Sequence, residues 1–256
     1  MSAIRAVRFL VSNEGGSQNQ DLDYSPLFRT GFVEKLVSYL QYGEYPDLAY
    51  ECLWVLTNSC MGSNGEVNAL LTVPNLLEVA NNLIQAPIED ENNETCSKQY
   101  MVKEQAMWLV ANIAAENNET RQRVVSSGFV QSISNFMKTV KKVRRGILAV
   151  LSWALTNCLL NRQKVALAEF EGLTDIWISC LVLDNERLIS DTLYGMAFFA
   201  EINDQHIEWL CSRGSLGFYH TVVMHIGNPN SEVHTPALRL CGNLCYGRDC
   251  HIERLI

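Results

Sequence analysis

The 256-residue sequence predicts an all-α solenoid, a stack of similar helical units. Short segments recur in phase along the chain, and their apolar residues fall at helical spacing. Only six prolines occur, which leaves room for many unbroken helices. A stack suits this length, because each unit packs on its neighbours and no single large core is needed. An apolar fraction of 48% with 19% charged residues belongs to an ordered chain.

The first recurring segment is clearest at Thr30-Gly31-Phe32-Val33-Glu34-Lys35-Leu36 and at Ser127-Gly128-Phe129-Val130-Gln131-Ser132-Ile133. Each puts a glycine turn before an amphipathic helix. Weaker copies begin at Val73-Pro74-Asn75-Leu76, Glu171-Gly172-Leu173 and Arg213-Gly214-Ser215-Leu216.

A second segment alternates with the first. It reads Leu53-Trp54-Val55-Leu56-Thr57-Asn58, then Met107-Trp108-Leu109-Val110-Ala111-Asn112, then Ser152-Trp153-Ala154-Leu155-Thr156-Asn157. Divergent copies follow at Leu193-Tyr194-Gly195-Met196-Ala197-Phe198 and Leu238-Arg239-Leu240-Cys241-Gly242-Asn243, and a first copy stands at Val7-Arg8-Phe9-Leu10. The leading position therefore steps through 8, 54, 108, 153, 194 and 239, at intervals of 46, 54, 45, 41 and 45. Armadillo and HEAT repeats run about 40–47 residues. The long interval is accounted for by an acidic insertion, read as an exposed loop over about residues 87–99. The organisation expected is one solenoid over residues 1–256, with about six repeats and the last one incomplete from His251 onward.

Within a copy, Leu53, Leu56 and Cys60 form one apolar stripe, while Trp54 and Asn58 sit four apart on another face. An Asn amide is poorly suited to a dry core, because its donors and acceptor must find partners. Three Trp–Asn pairs in register therefore point to a lined surface that a ligand occupies.

Composition excludes several functions. A net charge of −8 argues against nucleic acid, which calls for clustered Lys and Arg. The basic run from Lys138 to Arg145 reads as a solvated helix end and loop, and an acidic solenoid favours a basic ligand. Of nine cysteines, Cys52, Cys60, Cys158, Cys180, Cys241 and Cys245 fall in apolar helical stretches, where a thiol acts as a small hydrophobe. Their odd number and a start from Met1 to Leu10 that contains two arginines and no long apolar run point to a reducing compartment. There the acceptor patterns at Asn93 and Asn118 carry no meaning. Cys241, Cys245, Cys250 and His251 fit no zinc spacing, so no metal and no cofactor is expected. No run of 18 apolar residues could span a membrane. No phosphate loop or nucleophile elbow occurs, and His206, His220, His225, His234 and His251 make no catalytic arrangement; no enzyme activity is expected.

Residue by residue, the chain resembles the importin alpha family, the armadillo adaptors that bind nuclear localisation signals. Trp54-Val55-Leu56-Thr57-Asn58 is similar to that family's W-A-L-T-N, and Glu104-Gln105-Ala106-Met107-Trp108-Leu109-Val110-Ala111-Asn112 to E-Q-A-V-W-A-L-G-N. Ser190-Asp191-Thr192-Leu193-Tyr194 parallels S-D-A-C-W, and Pro236-Ala237-Leu238-Arg239-Leu240-Cys241-Gly242-Asn243 parallels P-A-L-R-A-V-G-N. The resemblance implies a right-handed armadillo superhelix with an extended basic peptide in a concave groove. Asn58, Asn112 and Asn157 would pair with the peptide backbone. Trp54, Trp108 and Trp153 would form shelves for Lys or Arg stems. Gly62, Gln105, Asp191, Tyr194, Arg239 and Asn243 match further groove positions. Glu116 stands where the family has Asp for a central lysine, which keeps the charge on a longer arm.

Val67 stands where the family has a Thr, Val150 where it has an Asn, and Tyr194 and Phe198 where it has Trp and Tyr. The resemblance spans about half the family's repeats; it reaches neither the second binding site nor the basic autoinhibitory segment. Two functions follow. One is an adaptor for a basic, nuclear-localisation-type peptide, working in cytoplasm and nucleus; the alternative is a divergent armadillo scaffold subunit of a larger assembly without import activity.

Overall fold

The computed structural model describes residues 1–11, 24–41, 45–60, 64–88, 94–140, 144–214, 216–253 and 255. The described residues are overwhelmingly α-helical. They fall into two compact units, Met1–Phe136 and Met137–Ile256.

The first unit contains α1 (Ser2–Val11), α2 (Ser25–Arg29), α3 (Phe32–Gln41), α4 (Pro46–Ser59), α5 (Asn64–Thr72), α6 (Leu76–Gln85), α7 (Glu94–Glu116), α8 (Asn118–Ser126) and most of α9 (Phe129–Thr139). Here α1, α4 and α7 pack side by side in that order, with α3 and α6 behind them. Those three helices carry the first three copies of the second sequence segment, led by Arg8, Trp54 and Trp108. Their inward faces are dry: Cys52, Leu53, Val55 and Leu56 on α4, and Met107, Leu109, Val110 and Ile113 on α7, are all buried. At roughly 1.5–3 kcal/mol for each fully buried large side chain, this packing holds the stack.

The second unit contains α10 (Arg145–Leu159), α11 (Leu173–Cys180), α12 (Glu186–Ala200), α13 (Asp204–Arg213), α14 (Leu216–Ile226), α15 (Ser231–Leu244) and the short α16 (Asp249–Ile252), with one 3-10 turn at Leu167–Phe170. α10, α12 and α15 pack in sequence and carry the copies led by Trp153, Tyr194 and Arg239. An aromatic knot anchors them. The Phe170, Trp177 and Phe199 rings lie 4.6–6.3 Å apart, centroid to centroid, and His206 meets Phe199 edge-on at 4.7 Å. Burial lowers the His206 pKa, and the ring lies between Asn203 Oδ1 at 2.9 Å and the Val165 carbonyl at 3.2 Å.

The turn signals read from the sequence have a common backbone cause. Gly31, Gly128 and Gly172 adopt φ of 71°, 80° and 81° immediately before α3, α9 and α11. Asn75 takes the same left-handed conformation, φ 61°, before α6. Side chains disfavour this region, and Asn tolerates it best among them. Gly214 differs: its φ is −72°, and a Cβ there would lie 2.4 Å from Phe218 Cδ1, so glycine serves close packing.

Two expectations are corrected. The exposed loop over 87–99 does not extend to 99: residues 89–93 lie outside the described residues, and α7 begins at Glu94. Cys96 and Tyr100 are buried one helical turn apart, and Tyr100 packs edge-on against Phe136 at 6.4 Å. The apolar period of α7 thus continues backward through a segment whose acidic and polar composition hides it. Cys245 is exposed, because it caps the end of α15 one turn beyond Cys241, where the buried stripe has ended. Cys52, Cys60, Cys180, Cys241 and Cys245 carry their thiols outside any disulfide. Among the described residues no group of three or more His, Cys, Asp or Glu is placed to hold a metal, and no helix is long and apolar enough to cross a membrane.

Candidate peptide-binding residues

In the first unit the Trp–Asn positions sit on the rim of dry helices. α7 shows the logic best. Glu104, Gln105, Trp108, Asn112 and Glu116 form its solvent-facing stripe, while Ala106, Met107, Leu109, Val110, Ala111, Ile113 and Ala114 between them are buried. Trp108 is 50% exposed, a large apolar area for a surface helix. One turn on, Asn112 Nδ2 is buried without a hydrogen-bond partner. An unmade bond of this kind costs about 1–3 kcal/mol.

α4 presents the neighbouring pair. Asn58 is half-buried and donates from Nδ2 to the Trp54 carbonyl at 2.9 Å, so one of its two amide hydrogens is spent on its own helix. Trp54 is half-buried; its Nε1 has no hydrogen-bond partner, and Tyr50 packs beside it at 5.9 Å. Gln105 donates to Thr57 Oγ1 at 2.8 Å, which ties the polar stripe of α7 to α4. Glu116 lies close to Cys60 at the end of α4: burial first, and then the Glu116 carboxylate, push the Cys60 thiol pKa up. Trp54, Asn58, Gln105, Trp108, Asn112 and Glu116 therefore belong to two helices in direct contact. Val67 is buried in α5, and Gly62 lies outside the described residues.

In the second unit the same register gives a different surface. Trp153 is half-buried, but Asn157 is only 8% exposed, deeper than Asn58 or Asn112. Tyr194 stacks on Phe198 at 5.9 Å and 28°, and the Arg239 guanidinium lies over the other aromatic of the pair, 4.7 Å from the Phe198 centroid. Arg239 also forks onto Glu201, with Nε donating at 2.6 Å and Nη2 at 3.1 Å. Asn243 Nδ2 donates to the Ala197 carbonyl at 2.9 Å and to Glu201 at 3.1 Å. Burial would raise the Glu201 pKa, but the bonds from Arg239 and Asn243 bring it below the usual range. Asp191 moves the opposite way: burial raises it, the Arg187 ion pair at 3.1 Å pulls it down, and Glu232 pushes it up. Arg239, Asn243 and Asp191 are thus engaged within the fold.

Three polar residues were not singled out from the sequence. Glu51 is buried and accepts from Arg5 at 3.1 Å and Arg8 at 2.9 Å, and Arg8 lies over the Trp54 ring at 4.8 Å. The equivalence of position 8 to position 54 was the available signal. Glu201 lies three residues after Phe198, within reach of the next helix. Lys103 is fully buried; its ammonium donates to the carbonyls of Leu83 at 2.9 Å, Ile84 at 2.8 Å and Ala86, closing the end of α6.

No family model matches the chain. Importin subunit alpha-1b of Oryza sativa subsp. japonica is 23% identical over 233 residues, covering 90% of this chain and 40% of the relative. Importin subunit alpha-8 of Arabidopsis thaliana is 25% identical over 225 residues, covering 88% and 46%. The chain spans less than half the length of these relatives. Among solved structures, a designed armadillo repeat protein in complex with the peptide (KR)4 superposes with a TM-score of 0.70 at 21% identity, over 95% of this chain and 92% of that one. A second designed armadillo repeat protein gives 0.72 at 20% identity, again over 95% and 92%. The chain is similar in sequence to importin alpha subunits, and it has the armadillo-repeat fold.

Proposed function

We propose that the chain is an importin-alpha-like adaptor that binds an extended, Lys- or Arg-rich segment of a protein partner, in the manner of a nuclear localisation signal. The observation that carries this is the pairing on α7 of the half-exposed Trp108 with an Asn112 amide that lacks a partner. With the Asn112 amide turned outward about its side-chain torsions, a peptide carbonyl supplies the missing acceptor, and the Trp face takes the stem and charge of a basic side chain. Glu116 adds a carboxylate at the end of the same stripe, and the chain's net charge of −8 favours a basic ligand. Trp54 and Asn58 in the first unit, and Trp153, Asn157 and Tyr194 in the second, are the further contacts this reading assigns. The relatives' names are consistent with transport between cytoplasm and nucleus as the setting.

A second reading is supported by the polar groups already committed. Gln105 is bonded to Thr57, and Arg239 and Asn243 to Glu201. A ladder satisfied from within suits a scaffold subunit of a larger assembly. Titration of a fluorescent lysine-rich peptide into the purified chain and into Asn112→Ala, Asn157→Ala separates the two. The adaptor reading expects micromolar or tighter binding, weakened at least ten-fold in the double variant. An intact, folded chain that does not bind leaves the scaffold.

A further inference from the structure

We infer that Arg162, in the second unit, is a seat for a carboxylate, so that the peptide this unit takes carries an acidic residue beside a basic one. The inference rests on the adaptor reading for an extended peptide as ligand; its own evidence is the backbone at Arg162 and the cavity beside it.

After α10, Asn161 and Arg162 take φ of 59° and 56° in succession. Among the described residues that carry a side chain, only these two and Asn75 are left-handed. Asn tolerates this region, whereas a long side chain is an outlier in it. Glycine makes such turns without strain, as Gly31, Gly128 and Gly172 do. What an arginine adds at this turn is therefore its guanidinium, and strain of this kind gathers where ligands are held.

Arg162 is exposed and lines an open cavity of about 450 Å³, together with Glu201, Asp204, Arg239, Asn243 and Tyr246. The acceptors of Glu201 are already engaged. Arg239 donates to it from Nε at 2.6 Å and from Nη2 at 3.1 Å, and Asn243 from Nδ2 at 3.1 Å. Burial raises the Glu201 pKa; the bonds from Arg239 and Asn243, then the Arg239 charge and last the Arg162 charge, lower it. Arg162 thus acts on Glu201 through its field and not through a bond.

The charged residues that line the cavity, Arg162, Arg239, Glu201 and Asp204, sum to zero. Net field therefore selects no ligand there, and the choice falls to the side chains not yet bonded. Among the described residues, neither Arg162 nor Asp204 makes a side-chain hydrogen bond or an ion pair. Arg162 offers a planar fork of donors, which a carboxylate meets at two points. Asp204, in the first turn of α13, offers a carboxylate to a basic neighbour. A uniformly basic segment would set like charge against Arg162, whereas one acidic residue beside a basic one satisfies both.

Two capped dipeptides, acetyl-Lys-Glu-amide and acetyl-Lys-Gln-amide, test this on the full chain. The Tyr246 ring resonances, assigned by their loss in Tyr246→Leu, report on the cavity in every protein. The Glu dipeptide is expected to act at concentrations at least about five-fold lower than the Gln dipeptide, as an exposed ion pair allows. Arg162→Gly should abolish that preference while raising the thermal unfolding midpoint, because the backbone strain is released. Equal responses in the unaltered chain, or a preference kept by Arg162→Gly, overturn the proposal. A midpoint that falls in Arg162→Gly also overturns it, since Arg162 would then be held by the fold and not for a ligand. The lysine-rich peptide is titrated into the same proteins. Peptide binding absent, with the dipeptide preference intact, refutes the adaptor reading and leaves the carboxylate seat standing. Peptide binding present, with no dipeptide preference, does the reverse.

Discussion

Lys103 offers the sharpest quantitative check on the fold. Its ammonium is buried in α7 among the terminal carbonyls of α6 and lies 4.8 Å from the Phe136 ring. Burial lowers its pKa from 10.5 to about 8. Below pH 8 folded and unfolded chains both carry this proton, and Lys103 contributes no pH dependence. Between about pH 8 and 10.5 the unfolded chain keeps a proton that the folded chain has released, so stability rises by about 1.4 kcal/mol per unit. The total is about 3 kcal/mol, and above that range the gain is constant. Lys103→Met removes the term. The buried thiols Cys52, Cys180 and Cys241, pushed up to about 12, 11 and 11, work in the opposite sense in both proteins and cancel in the difference. Urea unfolding followed by circular dichroism across that pH range measures the gap between the two chains. At neutral pH the substitution trades a buried charge against three carbonyls without a donor, so the slope is the diagnostic and the offset is not. If the stability of the unaltered chain minus that of Lys103→Met stays flat or falls as pH rises, the buried-ammonium account is refuted.

Other expectations follow from the same geometry. Asn112→Leu removes the unpartnered amide, so the unliganded chain should be unchanged in stability or gain up to about 1 kcal/mol, while peptide affinity falls at least ten-fold. A loss above about 1 kcal/mol in chemical denaturation would mean the amide is satisfied in solution. Gly195→Ala places a Cβ 2.7 Å from Thr156 Oγ1 and 2.9 Å from Trp177 Cζ2. Thermal unfolding should report a loss of about 1–3 kcal/mol, and an unchanged midpoint would show that the α10–α12 packing yields. Gly128→Ala and Gly172→Ala meet no atom within 4 Å, so each should cost only the backbone term of about 1 kcal/mol. A larger loss at either position would point to packing that the turn geometry does not contain.

The repeat was legible because its signals are local. Glycine or Asn before α3, α6, α9 and α11 answers to a left-handed backbone, and the apolar spacing of α4, α7 and α10 answers to burial. The Trp–Asn register was legible for the same reason, and Trp54, Trp108 and Trp153 all keep exposed area. Partners chosen across helices were not legible. Whether Asn58 faces outward or donates to the Trp54 carbonyl depends on a rotamer, and whether Arg8 reaches Glu51 depends on how α1 lies on α4. Lys103 in a stripe of otherwise apolar positions reads as a surface residue until the end of α6 is brought to it. The acidic segment before Lys98 hid its helical phase because charge dominated its composition, and only Cys96 and Tyr100 carried the period.

The length of α7 also bears on how the first unit forms. At 23 residues it is well beyond the 14 of α4 and the 10 of α6. Isolated helices below about 12–15 residues are marginal in water, so α7 alone has the length to hold helical structure before its neighbours arrive. Its sequence is rich in Glu, Lys, Gln, Ala and Met, all good helix formers. In a stack whose units contact only their neighbours, such an element is a natural nucleus, with α4, α6 and α8 condensing onto it as adjacent partners. Helix formation that precedes burial would then run outward from the middle of the unit, and the contacts it makes first are the ones that fix the Trp108 face.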